Sequence, residues 1–387
     1  MWVSFTYLSM FGLVNQNNMI DDVLISYGLS LIGSKIVPYG SGLINHTYKL
    51  TANNQNYILQ EINTNIFKAP YHIVNNLALI EKYINETAPG YLFVAPLKSL
   101  NGDFIVKAAT GEHYRLFPFV QGSHSVDVLK NEKEAYEAAK QFGKFTCLLK
   151  DFDISLLEYP LQNFHDLPLR FDQFKIAVKN AEATKQEEAA AEINEVYKHQ
   201  HILETYNQLI SGQEIPMRVV HHDTKISNIL FDDEQNALCL VDLDTVMPGY
   251  YLSDVGDMMR TYLSPASEEE MDLNEIRIRE DFFRAIYTGY LSEMGTILTE
   301  TEKEHFIFSG KMMIYMQALR FLTDFLNNDI YYGARYPGHN LIRAKNQFKL
   351  LNEYVNAEPA FNQLIDEVNQ GNHSIAEHRY NQTQPSA

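Results

Sequence analysis

The sequence predicts an α+β protein of two lobes, a small one built on antiparallel strands and a large one that is mostly helical. Three observations lead there. Short strand-like runs punctuated by Gly and Asn pairs fill the chain from Ser34 to Arg115, long patterns of helical period fill it after Pro118, and a single apolar hairpin between Val219 and Gly249 interrupts the helical part.

In the first part, Lys35 to Pro38, Thr47 to Thr51 and Tyr57 to Gln60 are expected as strands, separated by a turn at Gly40 and Gly42 and a polar turn from Asn53 to Asn56. Asn75 to Asn85 carries Leu77, Ile80 and Ile84 at helical spacing. Short strands are expected again from Phe93 to Arg115, broken at Asn101-Gly102. Phe117, Pro118 and Phe119 make an apolar hinge, which puts the lobe boundary near Leu116 to Gly122 and divides the chain into residues 19–118 and 119–387. Beyond it, helices are expected over Glu132 to Leu149, Gln186 to Ile210, Arg277 to Leu291 and Lys303 to Leu326. The tail from Gln370 is polar enough for loose order.

Residues 1–18, MWVSFTYLSMFGLVNQNN, form an apolar run too short to span a bilayer and with no cationic flank before it. Patterned sequence begins at Ile20, so Met19 is the expected natural start and residues 1–18 an upstream, non-native or disordered extension. The apolar segment of a secretory signal is the alternative reading.

A chain of 387 residues, 45% of them hydrophobic, can bury a large core. Its formal charge of −18 argues against nucleic-acid or anionic-membrane partners, which need clustered Lys and Arg, and favours a small-molecule substrate. Two cysteines, Cys147 in a helical pattern and Cys239 in a strand, make neither a disulfide framework nor a zinc site, so a reducing cytoplasm is expected.

The chemistry is concentrated in VVHHDTKISNILFDDEQNALCLVDLDTVMPG, Val219 to Gly249. Asp223 and Asn228 flank a tight turn. The strand Ile229 to Phe231, the polar turn Asp232 to Asn236 and the strand Ala237 to Val241 then form a hairpin expected to fold Asp242 back beside them. Phosphoryl transfer needs such a set: a carboxylate, Asp223, to accept the proton of the acceptor hydroxyl, and an amide plus a second carboxylate, Asn228 and Asp242, to hold the magnesium that neutralises phosphate charge. Taken singly, Asp223 reads as a turn former, Asn228 as an Asx-turn residue and Asp242 as a solvated strand end.

Asp, four residues, Asn, then Asp on the next strand is the kinase catalytic-loop layout. With His221-His222-Asp223-Thr224-Lys225-Ile226-Ser227-Asn228, the chain resembles the aminoglycoside phosphotransferase and choline kinase superfamily, whose motif reads His-Gly-Asp-x-x-x-x-Asn; His222 stands where Gly is usual. The resemblance implies a bilobal protein-kinase-like fold, ATP and Mg2+ as cofactors, a nucleotide-binding small lobe, and a large lobe for catalysis and acceptor binding. In similar kinases an acid in a segment such as Asp254-Val255-Gly256-Asp257 braces the catalytic loop; an acid favouring the helix dipole is the ordinary reading.

Gly40-Ser41-Gly42-Leu43-Ile44-Asn45-His46-Thr47-Tyr48 lies between two strands, which excludes a Walker or Rossmann loop. Backbone amides of such a hairpin close over phosphates, so Gly40, Ser41, Gly42, Asn45 and Thr47 are nucleotide-binding candidates, with Phe117 and Phe119 against the adenine. Gln60 stands where the third strand of kinases usually carries a lysine. Either Gln60 meets phosphate as a neutral donor or another cation reaches in, and a catalytically silent nucleotide or sugar sensor is the reading from outside the enzymes.

For the acceptor, the segments Asp242 to Gly249, Arg320 to Asp324, Asp329 to Tyr332, Gly42 to Tyr48, Asn163 to Asp166 and Asn340 to Arg343 resemble the N-acetylhexosamine 1-kinase branch, over about Leu31 to Leu351. That resemblance implies transfer to the anomeric hydroxyl of an N-acetylhexosamine or related hexose, with Asp244, Arg320 and Tyr331 as sugar contacts. Leu43 departs from it, replacing a family His. For Arg320 and Asp324 the ordinary reading is an i,i+4 ion pair. The alternative acceptor is an amino-alcohol, homoserine or aminoglycoside; such cations call for an acidic pocket, which Arg320 disfavours.

Overall fold

The computed structural model describes residues 20–40 and 44–382, with side chains described to Gln370. The upstream extension 1–18, Met19, and the loop positions Ser41, Gly42 and Leu43 lie outside the described residues. The expected α+β class is what is found. The chain forms two compact units. One holds the chain up to Ser123 together with Asp153–Gln162 and Val241–Met247; the other holds His124–Phe152, Asn163–Leu240 and the chain from Pro248.

In the first unit, helix α1 over residues 20–26 precedes β1 (Lys35–Pro38), β2 (His46–Ala52) and β3 (Gln55–Ile62); helix α2 (Pro70–Thr87), β4 (Val106–Lys107) and β5 (His113–Pro118) follow. The five strands make one antiparallel sheet in the order β1-β2-β3-β5-β4. The β2–β3 turn falls at Asn53 and Asn54, both at positive φ (52° and 61°), the geometry a two-residue hairpin turn demands and Asn tolerates. Alternate strand positions bury Leu50, Leu59, Tyr114 and Leu116 against Ile20, Val23 and Leu24 of α1. Helix α2 starts on a proline and buries Ile73, Leu77, Ile80 and Ile84 on one stripe.

Strand structure between residues 93 and 105 does not form. Leu97 donates one hydrogen bond to the Leu116 carbonyl, but Pro96 beside it has no N–H to continue a ladder, and Asn101-Gly102 closes a separate turn in which the Gly102 N–H meets the Ser99 carbonyl.

The second unit is mostly helical, with β6 (Arg218–Val220), the hairpin β7 (Ile229–Phe231) to β8 (Ala237–Leu240), and the last two residues of the short strand β9 (Met247–Gly249). Its helices are α3 (Glu132–Leu148), α4 (Leu167–Asn180), α5 (Ala183–Glu188), α6 (Ala190–Lys198), α7 (His201–Ser211), α8 (Tyr251–Tyr262), α9 (Glu280–Met294), α10 (Glu300–Glu304), α11 (Phe306–Leu326) and α12 (His339–Gln382). The single helix expected from Gln186 to Ile210 is broken twice. Its chain turns at Ala189 and again at His199, whose buried ring is held by Asn352 and Glu195. The helix expected from Lys303 is likewise split at His305, and the tail continues as helix to Gln382. Helix α11 is buried along most of its length, and α8 packs on it. Gly256 permits this approach, because a β-carbon there would collide with the Ser309 carbonyl of α11. Among the described residues, no helix is long and apolar enough to cross a membrane.

Candidate active site

The catalytic-loop segment hangs from α8 by its backbone. The buried Asp254 carboxylate accepts the N–H groups of His221 (2.9 Å) and His222 (2.7 Å), and Asp257 accepts that of Thr224 (2.9 Å). The Thr224 hydroxyl donates to the Asp254 carbonyl, and the Tyr262 hydroxyl donates to the Thr224 carbonyl (2.6 Å). Asp254 and Asp257 are therefore structural braces with named partners, more than acids set at a helix end. Burial, together with nearby Asp257 and Asp223, pushes the Asp254 carboxyl up to about 7 against the pull of the two N–H donors.

His222 sits at φ +67°, in the left-handed region where a Gly costs nothing and a His is strained. This explains the family's preference at the position. Here its ring lies beside His165 (centroids 5.4 Å apart) and Phe164 (6.3 Å), and Gly249 leaves it room: a β-carbon at Gly249 would strike the ring.

Asp223 is half-buried. Burial works to raise its carboxyl, but Lys225 (2.8 Å), His221 and Asn228 outweigh this and hold it below the usual carboxylate range. The Asn228 amide donates to the Asp223 carbonyl at 2.8 Å, which commits its nitrogen to the loop and leaves its oxygen as the end suited to a cation. The expected hairpin forms, with Ile229 opposite Leu240 and the Asp232 carboxylate accepting the Asn236 N–H at its turn. Asn228 and Asp242 thus bracket the open end of the hairpin in the chain, one residue before Ile229 and two after Leu240. Asp242 adopts a left-handed backbone (φ 56°), a region that Asp visits more readily than most side chains. Among the described residues no group of three or more His, Cys, Asp or Glu makes a self-contained metal cage. Magnesium takes oxygen donors of the amide and carboxylate kind that Asn228 and Asp242 carry.

At the phosphate end, the first unit brings Asn45, Thr47, Gln60 and Asp244 into one hydrogen-bonded chain. Thr47 pairs with Gln60 across β2–β3, and the Gln60 amide donates to the Thr47 hydroxyl at 3.1 Å. Gln60 faces Arg115 across β3–β5, and its amide oxygen accepts from the Arg115 guanidinium at 2.9 and 3.2 Å. Arg115 is fully buried and pairs with Asp244 at 2.5 Å; Asn45 donates to the other Asp244 oxygen at 2.8 Å. Gly40 is at φ +80°. Phe117 lies 5.1 Å from the Arg115 guanidinium, and Phe119 packs edge-on to Tyr39 with the Lys49 ammonium 4.1 Å from its ring. Arg115 carries no motif. Its only sequence signal is a charge in a strand pattern at the register position of Gln60.

A second cluster gathers Arg320 and Tyr331. The Arg320 guanidinium lies 5.3 Å from the Phe164 ring, 5.9 Å from Tyr331 and 5.4 Å from Tyr332, and it donates to the side-chain amide oxygen of Gln317. The Arg320–Asp324 ion pair of the ordinary reading is not made. Asp324 instead accepts the N–H groups of Tyr331 (2.7 Å) and Tyr332 (2.9 Å) and the Asn340 amide, fixing the loop that presents both tyrosines. Phe164 stacks on His165 at 4.4 Å, and burial beside His222, Arg320 and Arg170 keeps His165 neutral.

A family model described as a phosphotransferase enzyme family matches residues 35–285. The chain belongs to that family, the aminoglycoside phosphotransferases and their kinase relatives. Among solved structures, an amicoumacin kinase bound to AMP-PNP, Ca2+ and its antibiotic shares 11% identity and a TM-score of 0.60, covering 90% of this chain and 96% of its own. A microcompartment-associated aminopropanol kinase gives 13% and 0.59, covering 90% and 98%. A spectinomycin phosphotransferase bound to ADP and spectinomycin gives 13% and 0.56, covering 88% and 98%. At such identities these family structures establish the shared fold.

Proposed function

We propose that this phosphotransferase is an ATP-dependent kinase that phosphorylates the anomeric hydroxyl of an N-acetylhexosamine or related hexose. The observation that carries the reading is the loop from His221 to Asn228, with an ionised Asp223 beside Lys225 and a backbone fixed on two buried acids. In this proposal Asp223 accepts the acceptor's proton as its oxygen bonds to the γ-phosphorus; the bond from that phosphorus to the bridging oxygen breaks, and ADP leaves. Asn228 and Asp242 hold Mg2+, which when bound neutralises phosphate charge. Gly40, Asn45, Thr47 and Gln60 serve the phosphates, Phe117 and Phe119 the adenine, and Arg320 and Tyr331 the sugar; Asp244, expected as a third sugar contact, is instead buried with one oxygen on Arg115 and the other on Asn45.

Two features favour a sugar over a cationic acceptor. Arg320 sits among aromatic rings and, among the described residues, has no carboxylate partner, so its charge would repel an ammonium group. A carboxylate held below its usual range is also a weak base. The anomeric hydroxyl, more acidic than an ordinary alcohol, asks least of it.

Coupled ADP release measured over N-acetylhexosamines, hexoses, choline, homoserine and aminoglycosides tests the proposal, and loss of the product's reducing end reports the anomeric position. Turnover confined to cationic acceptors would refute the sugar reading. Magnesium-dependent ATP binding with no turnover on any acceptor would indicate a sensor.

A further inference from the structure

The missing lysine on the third strand leaves the phosphate end without its usual cation, yet a buried cation stands one strand away. Arg115 of β5 is the register partner of Gln60, and its side chain is fully enclosed. Two of its nitrogens, Nε and one terminal nitrogen, are held by the Gln60 amide oxygen; the latter also meets Asp244. The remaining terminal nitrogen is buried and, among the described residues, has no hydrogen-bond partner. A buried unpaired guanidinium donor is costly, and guanidinium groups match phosphate oxygens in geometry and charge. The same network runs through Asn45, Thr47 and Gln60, three of the residues proposed to serve the nucleotide phosphates.

We infer that Arg115 supplies, from β5, the positive charge toward the nucleotide phosphates that β3 lacks, with Gln60 and Asp244 aiming it. The inference rests on the ATP reading above. In it, Gln60 aims the cation, and Asp244 tempers its charge before a nucleotide arrives.

The test is the ratio of affinities for MgATP and for adenosine, measured by calorimetry on the full chain, since only MgATP carries phosphates. Arg115→Met is expected to lower that ratio at least tenfold while adenosine binding holds, and Arg115→Lys to recover part of it. Asp244→Asn removes the opposing carboxylate, so it is expected to keep or raise the ratio. If Arg115→Met alone does not fold, the double variant Arg115→Met/Asp244→Asn, which leaves no lone buried charge, is compared with Asp244→Asn and is expected to show the same tenfold loss. An unchanged ratio in the folded Arg115 variants would overturn the inference. Equal losses in Arg115→Met and Asp244→Asn would also overturn it, reducing the pair to a structural clamp. A wild-type protein that fails to prefer MgATP over adenosine would instead overturn the ATP reading itself.

Discussion

The catalytic loop and the phosphate end are held by opposite means. In the loop, side chains of α8 grip backbone: Asp254 and Asp257 take the N–H groups of His221, His222 and Thr224, and Tyr262 takes a carbonyl. At the phosphate end, side chains grip side chains across strands, from Thr47 through Gln60 and Arg115 to Asp244 and Asn45. Backbone-directed bonds fix a path and leave the side chain of Asp223, the proposed base, to its own chemistry. The cross-strand network fixes charges, and any member removed leaves its neighbours unpaired in a dry interior.

Four substitutions would break or sharpen this contrast. The largest effect is expected from Asp223→Ala, which removes the base without touching the bonds that hold the loop. Turnover should fall by about 10³-fold while MgATP still binds, as steady-state kinetics and calorimetry would report. Retained turnover would disqualify Asp223 as the proton acceptor. Arg115→Met should come next, costing about 3–5 kcal/mol of stability in urea titration because Asp244 is left a buried, unpaired carboxylate. Adding Asp244→Asn should return most of it, and failure to do so would mean the two charges are not coupled.

Asp254→Asn probes the loop's suspension. Burial raises the Asp254 carboxyl to about 7, so the folded protein retains a proton that the unfolded chain gives up near its ordinary value. Its contribution to stability is complete in acid and is lost as pH climbs through the folded value. The variant should therefore flatten the fall of the melting temperature between about pH 4 and pH 7. Some slope should remain, because burial also raises Asp257. Turnover should drop by about tenfold as one N–H loses its acceptor. An unaltered pH profile would exclude Asp254 as the titrating group. The smallest effect is expected from His222→Gly, which relieves a left-handed backbone worth about 1 kcal/mol but surrenders the ring's packing on His165 and Phe164. The two nearly cancel, so a melting temperature within a few degrees of wild type is expected.

The same contrast explains what was legible in the sequence. The His221 to Asn228 motif and the Ile229 to Leu240 hairpin are local in the chain, so spacing and turn residues announce them. The strands around Asn53 and Asn54 are announced in the same way, by a turn that accepts positive φ. Arg115 is not, because its role depends on the β3–β5 register, which no local pattern records. The breaks at Ala189, His199 and His305 are equally silent: apolar periodicity runs through them, and tertiary contacts such as His199 to Asn352 decide where the helix turns. The Arg320–Asp324 pair of the ordinary reading has the right spacing, but two backbone N–H groups and the Asn340 amide hold the carboxylate in place of the half-buried guanidinium.

The way Asp324 captures the chain at Tyr331 and Tyr332 has a practical consequence for altering selectivity. The carboxylate binds main-chain atoms, so the stretch it secures does not depend on which side chains it displays. If Tyr331, which is 60% exposed, contacts the acceptor as proposed, it is an interchangeable tool on a fixed mount. Replacing it with Phe, His or Trp should retune which compounds are accepted without remodelling the mount, making this the natural first position for a saturation library.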